Sequence, residues 1–324
     1  MAVLLGSEGG SPFPTMFFQQ SITWACPVVM DVLVYVIGGG GGGAADTVNP
    51  GSANGGGAGG CAVSRLTLAV QNYTLTIGAG GAGKNNSVGG NGTAGGNTSM
   101  SGTGMTTMTG NGGGAGTNAS NAAIAGGTAS GGTLQNNTGG GSPAQSDVAY
   151  GCSGGGGVGL YGPGQASTFN TANQGIAAGG SPIGITPQQV STALNWNTHN
   201  SNMAATTAGT FKPNGPIGVD IFPGLSRPST MPMSDLRQQG PVSFKTTGAG
   251  LQTIWTGSIY VTSPAGPFSG GSGLGAGLSS TMYSGAGTAG GGGGGVTNAA
   301  GGGQVYAGGG GGGLIIMIPL SMGA

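Results

Sequence analysis

The sequence predicts a mainly β protein with almost no α-helix, in which short strands in a sandwich-like layer are combined with glycine segments packed backbone to backbone. Three observations carry this expectation. Eighty-two of the 324 residues are glycine, with blocks at 38–43, 154–157, 290–295 and 308–313. A residue without a Cβ cannot close off a side-chain core, and glycine disfavours a helix by about 1 kcal/mol per residue, so such blocks hold together only through their backbones. Much of the remaining apolar content falls in short alternating runs, the period of strands. Only 4% of residues are charged, against roughly 25% in an ordinary domain, while 36% are hydrophobic, which argues against a disordered chain.

The elements follow in order. The first 37 residues are not glycine-rich, and within them 22–25 (ITWA) and 28–37 (VVMDVLVYVI) read as strands. In the second, Val32, Val34 and Val36 point one way and Leu33, Tyr35 and Ile37 the other, which predicts burial on both faces. Pro27 stands just before it, where a strand tolerates proline. Leu66, Leu68 and Val70, then Tyr73, Leu75 and Ile77, alternate with other residues on either side of Asn72, which predicts a hairpin with one apolar face. From 78 to about 180 Gly, Ala, Asn, Ser and Thr dominate, and no side-chain core is expected there. Over 181–268 glycine thins, prolines accumulate and aromatics enter, which reads as an insertion with a short helix at 187–194 and a strand at 254–262. Glycine then returns, and 314–318 (LIIMI) predicts an apolar strand that pairs with 32–37 and closes the domain. The expected organisation is an attachment segment at 1–20, a glycine-rich β domain at 21–180, the insertion at 181–268, and a returning glycine-rich segment with its closing strand at 269–324.

Six Lys and Arg balance six Asp and Glu, so the net charge is zero. No basic stripe is available to neutralise phosphates, which excludes nucleic acid as a partner. A neutral surface also predicts poor solubility for the free chain and a place inside an assembly. Cys26, Cys61 and Cys152 are odd in number and lack C-x-x-C spacing, which argues for buried thiols rather than a disulfide framework or a zinc site. The opening residues lack the pattern of a secretion signal, and the apolar run 28–37 is shorter than the about 20 residues that cross a bilayer, so a cytoplasmic site of synthesis is expected.

Gly78, Gly83 and Lys84 (GAGGAGK) stand at phosphate-loop spacing after a strand. Asn85, however, occupies the place of the magnesium-binding Ser or Thr, and the residues that follow cannot open a helix. No cofactor and no metal is expected. The single histidine, His199, combined with Asp220 or Asp235 lacks a nucleophile-elbow sequence, and the six carboxylates include no local pair for glycosidic cleavage, so the chain reads as a non-enzyme. Trp196, Trp255, Tyr260, Tyr161 and Tyr150 have faces suited to stacking on sugars or anchoring an interface, with packing between glycine segments as the alternative role. The receptor-contact candidates are Trp196, His199, Trp255 and Tyr260, and the Asn- and Thr-rich turns at 85–108 are the other location for recognition. Met100, Met105, Met108, Met231 and Met233 read as flexible apolar filler.

The stretch from Trp24 to Gly43 (WACPVVMDVLVYVIGGGGGG), the run LTLAVQNYTLTIGAGG at 66–81 and the close GGGGGGLIIMI at 308–318 resemble the glycine-rich domain of many bacteriophage tail-fibre and receptor-binding proteins. The resemblance covers about 21–165 and 285–318 and leaves the proline-rich middle as an insertion. The chain is also similar to the tip adhesins of T-even-type phage long tail fibres, whose glycine-rich motifs form packed polyglycine-II helices and whose loops touch the host receptor. Those adhesins carry a long attachment domain first, whereas glycine begins here at Gly38. The resemblance implies a virion protein of the tail or fibre, made in the host cytoplasm, that binds other virion proteins and a host surface receptor, either a glycan or an outer-membrane protein, with self-association as an option. A purely structural baseplate, fibre-connecting or capsid-decorating subunit is the alternative. The scaffold it implies is marked by Gly38, Gly43, Gly290, Gly295, Gly308 and Gly313. Polyproline-II geometry has three residues per turn and no internal hydrogen bonds, so glycine segments in that form satisfy their N–H and C=O groups only by lying side by side.

Overall fold

The computed structural model describes residues 14–47, 52–86, 89–118, 122–144, 151–167, 169–170, 175–177, 179–180, 268–271, 273–276, 281–298 and 304–322, with short strand stretches at 3–5, 219–220, 245–246, 253–255 and 259–262. Among these residues there is no helix. A six-stranded antiparallel sheet has the order Val3–Leu5, Thr15–Phe18, Leu314–Met322, Met30–Ile37, Cys61–Leu68, Gln135–Asn137. Packed on it is a five-stranded antiparallel sheet, Ala129–Ser130, Met108–Gly110, Thr98–Ser101, Asn72–Thr76, Ile22–Ala25. Phe18, Val32, Val34, Val36, Leu68, Ile315 and Met317 of the first sheet meet Tyr73, Leu75, Met100 and Met108 of the second in one buried cluster. On the opposite face of the first sheet, Tyr35, Ile37, Phe17, Leu314 and Ile316 form a second cluster covered by Val158, Leu160 and Phe268. The central strand is therefore apolar on both faces because each face has its own core.

The closing strand lies beside the central one, antiparallel from Leu314↔Ile37 to Met322↔Met30, as its composition predicts. The register shifts between Pro319 and Ser321, next to the residue that has no amide to give a ladder. Thr15–Phe18, inside the segment expected to serve attachment, is a strand of the same sheet.

Two expectations need correction. Cys61–Leu68 and Asn72–Thr76 do not pair as a hairpin; the first belongs to the six-stranded sheet and the second to the five-stranded one. The apolar residues of the two runs meet across the core instead of along one ladder, and the Tyr73 hydroxyl, which accepts from the Ala69 amide at 3.0 Å, braces the crossing. Alternation alone is the same in either arrangement. The strand expected over 254–262 is two strands, Thr253–Trp255 and Ile259–Thr262, paired antiparallel. The helix expected at 187–194 lies outside the described residues.

The glycine segments leave the sandwich from the ends of its strands and form a hydrogen-bonded lattice. Along 38–44, successive amides donate to Gly60, Gly96, Gly311, Gly57, Thr93, Gly308 and Asn54 at 2.8–2.9 Å. Every third residue thus returns to the same neighbour, and the falling partner numbers make these three neighbours antiparallel. The carbonyls do the same with three parallel neighbours. Gly39 and Gly42 accept from Gly113 and Gly116, Gly40 and Gly43 from Gly81 and Lys84, and Gly41 and Ala44 from Gly293 and Val296. One segment is enclosed by six others, and its buried backbone is satisfied without a sheet or a helix. At the sandwich end the chain reverses through a tight turn in which the Gly291 amide donates to the Thr288 carbonyl at 2.9 Å. Both central residues have positive φ, 41° at Ala289 and 87° at Gly290, and a Cβ on Gly290 would run into Ile37.

At the opposite end the segments pass into short strands. Gly175–Ala177, Gly273–Ala276, Val296–Asn298 and Ala45–Asp46 form one small sheet, and Thr253–Trp255, Ile259–Thr262, Thr281–Tyr283, Val305–Tyr306 and Asn85–Asn86 another. Ala45, Leu274, Met282, Val296, Val305 and Ala307 make a third apolar cluster there. The lattice is held between side-chain cores at its two ends.

Candidate functional site

The scaffold glycines named from the sequence lie inside the lattice. The Gly38 and Gly43 amides donate to Gly60 and Gly308, the Gly290 carbonyl accepts from Gly59, Gly295 donates to Ser153, Gly308 to Gly294, and Gly313 to Gly78. All six are buried.

Trp196 and His199 lie outside the described residues. Trp255 and Tyr260 are register partners across the hairpin Thr253–Trp255/Ile259–Thr262, whose second strand pairs in parallel with Thr281–Tyr283 and puts Tyr260 beside the fully buried Met282. Tyr161 is half exposed. Of the imagined triad, Asp220 is in a two-residue strand opposite Lys245, and His199 and Asp235 are outside the described residues. The phosphate-loop look-alike is a lattice segment. Its Gly81 and Lys84 amides donate to Gly40 and Gly43, so they are unavailable to a phosphate, and a strand rather than a helix follows at Asn85–Asn86. Among the described residues no three His, Cys, Asp or Glu side chains come together.

The far end brings together residues that sequence reasoning passed over. The lattice register sets Thr281–Tyr283 in parallel beside Val305–Tyr306: Met282 donates to Gln304, Ser284 to Tyr306 and Gly287 to Gly309, at 2.9–3.0 Å. The Ser284 hydroxyl locks the entry by donating to Gly294 at 2.7 Å and accepting from the Gly308 amide at 2.8 Å. Tyr283 and Tyr306 therefore stand opposite one another with ring centroids 4.5 Å apart and planes 6° from parallel. The Tyr306 hydroxyl hydrogen-bonds the Gln304 side-chain carbonyl, and the next register partner of Tyr306 is the exposed Asn85 on the edge strand. A signal was present in the sequence, since each tyrosine stands two residues before a glycine that opens a lattice segment, in YSGAG and YAGGG.

Among the described residues, the titratable groups that are shifted belong to the sandwich. Burial pushes the Cys61 thiol up to about 12 and the Tyr35 hydroxyl to about 12, and it also raises Cys26. Asp31, outside the core, is held below the usual carboxylate range by the Thr67 hydroxyl first, then by Ser321 and the Arg65 guanidinium 3.7 Å away. None of these belongs to the far-end cluster, whose chemistry is that of aromatic faces, hydroxyls and amides. Such a set can bind and orient a neutral polar ligand, and among the described residues it presents no acid–base pair.

Comparison with curated proteins finds no match. The model of one protein family, described as a glycine-rich domain, matches residues 17–323. That span runs through the proline-rich middle as well as the glycine blocks on either side, and the chain belongs to the glycine-rich domain family.

Proposed function

We propose that the chain is a bacteriophage virion protein of the tail or fibre tip that binds a host surface receptor without catalysis. The observation that carries this reading is the division of labour along each lattice segment. One end is rooted in the sandwich core and the other passes into short strands around a small apolar cluster, whose exposed positions are free to change without disturbing the backbone lattice. The three-residue repeat of hydrogen bonds supports reading the segments as polyglycine-II helices. At about 3.1 Å per residue, the seven residues 38–44 hold the turns about 20 Å from the sandwich. A support whose central segment is hydrogen-bonded to six neighbours is stiff, and stiffness lowers the entropy lost when a loop surface engages a partner.

The test uses the purified, fluorescently labelled full chain mixed with a panel of intact bacterial strains. Saturable binding to a subset of strains, with no release of reducing ends from their envelope polysaccharide, is the expected result. Reducing-end release overturns the non-catalytic reading. Absence of binding to every strain overturns the adhesin reading in favour of a purely structural virion subunit.

A further inference from the structure

Resting on the adhesin reading, we infer that Tyr306, backed by Tyr283 and bordered by Asn85 and Gln304, is a shelf that binds a neutral pyranose ring of a bacterial surface glycan. Tyr283 covers one face of Tyr306, with planes 6° from parallel, and holds the ring upright before any ligand arrives. On the strand's other side the register partner of Tyr306 is exposed Asn85, on a two-residue edge strand, a side chain too short to cover a phenol ring. Both tyrosines are half-buried, so each ring is anchored while part of it meets water.

The polar groups around the ring match a sugar. Gln304 is exposed, and its side-chain carbonyl is taken by the Tyr306 hydroxyl, so the groups it can still offer a ligand are its amide N–H donors. Asn85 adds a carbonyl and an NH₂ on the other side. An apolar face of axial C–H groups laid on an aromatic ring, with neighbouring hydroxyls bridged by amides, is the pairing these groups offer. A peptide would need a continuous apolar groove or an open run of strand edge, and the edge strand here has two residues. None of the four shelf side chains carries a charge, and Lys84, next to Asn85 in the chain, has its side chain against Gly90.

The shelf is tested on the full chain with an array of neutral mono- and oligosaccharides from bacterial envelopes, followed by titration of each hit and a thermal melt of every variant. The expected result is binding to at least one pyranose, weakened about thirtyfold by Tyr306→Ala and less than about threefold by Tyr306→Phe, which keeps the ring. Asn85→Ala and Gln304→Ala should each weaken it severalfold. These two exposed positions carry the test if Tyr306→Ala lowers the melting temperature. Binding that no variant alters overturns the location. Cell binding that is abolished by protease treatment of the cells, with no sugar bound, overturns the saccharide and leaves the adhesin reading standing. Failure to bind both sugars and cells overturns the two together.

Discussion

Replacing Gly293 by alanine puts one methyl group into the middle of the lattice, and the structure sets the size of the effect. A Cβ built there would stand 2.5 Å from the Gly308 carbonyl carbon and 2.8 Å from that of Gly309, where carbon atoms normally approach to about 3.5–4.0 Å. One segment must therefore retreat by about 1 Å. The Gly293 amide donates to Gly41 and its carbonyl accepts from Gly56, both at 2.8 Å, and a retreat of that size takes them outside hydrogen-bonding range. Two buried backbone pairs left unmade cost about 1–3 kcal/mol each, so Gly293→Ala should destabilise by roughly 2–6 kcal/mol. In a chain of this size that lowers Tm by roughly 3–9 °C. The control is Gly312→Ala at the lattice surface, where the nearest atom to a new Cβ is the Gly78 carbonyl oxygen at 3.9 Å. There the restriction of the unfolded chain dominates, and stability should hold or rise by up to about 1 kcal/mol. Differential scanning calorimetry of both variants at one scan rate decides the matter. A Gly293→Ala melt within 1 °C of the parent, or equal losses in both variants, refutes the claim that glycine is required position by position.

Deletion of 314–324 should leave insoluble protein, because the closing strand bridges Thr15–Phe18 and Met30–Ile37 and buries Leu314, Ile315, Ile316 and Met317; a soluble, cooperatively melting product speaks against it. Alkaline pH should destabilise the fold between about 9 and 12. Cys61 and Tyr35 ionise near 9 and 10 in the unfolded chain but are held protonated to about 12 in the native one. The native state then binds more protons than the unfolded state, so stability falls with rising pH, by up to about 1.4 kcal/mol per unit for each group. A urea midpoint that stays constant from pH 8.5 to 11 contradicts this. Cys61 and Cys152, both fully buried, should resist iodoacetamide at pH 8 until the chain is unfolded, and prompt labelling of either in native protein counts against their place in the core.

Much of the sandwich was legible in the sequence because side-chain periodicity encodes it. Ile22–Ala25 and the two-faced strand ending at Ile37 are where alternation puts them, and the closing strand finds its partner nearly 300 residues away because both demand cover on two faces. Met100 and Met108 come from a stretch too poor in apolar residues to build a core of its own, and the fold uses them to complete a core begun elsewhere. The alternation of 66–77 showed two strands but not that they enter different sheets, since an arch and a hairpin bury the same residues. At the far end the limit was of another kind. Trp255 and Tyr260 were conspicuous by residue type, whereas Tyr283 and Tyr306 became a pair only through the lattice register that puts Ser284 beside Tyr306.

By itself the sequence determined that glycine blocks must pack through their backbones, because nothing else in them can be buried. Which block lies against which was decided only by the tertiary structure. Glycine presents the same N–H and C=O to every neighbour, so the choice of Gly60, Gly96 and Gly311 around the start of one segment rests on the strands that anchor each segment at its ends, and not on any side chain within it.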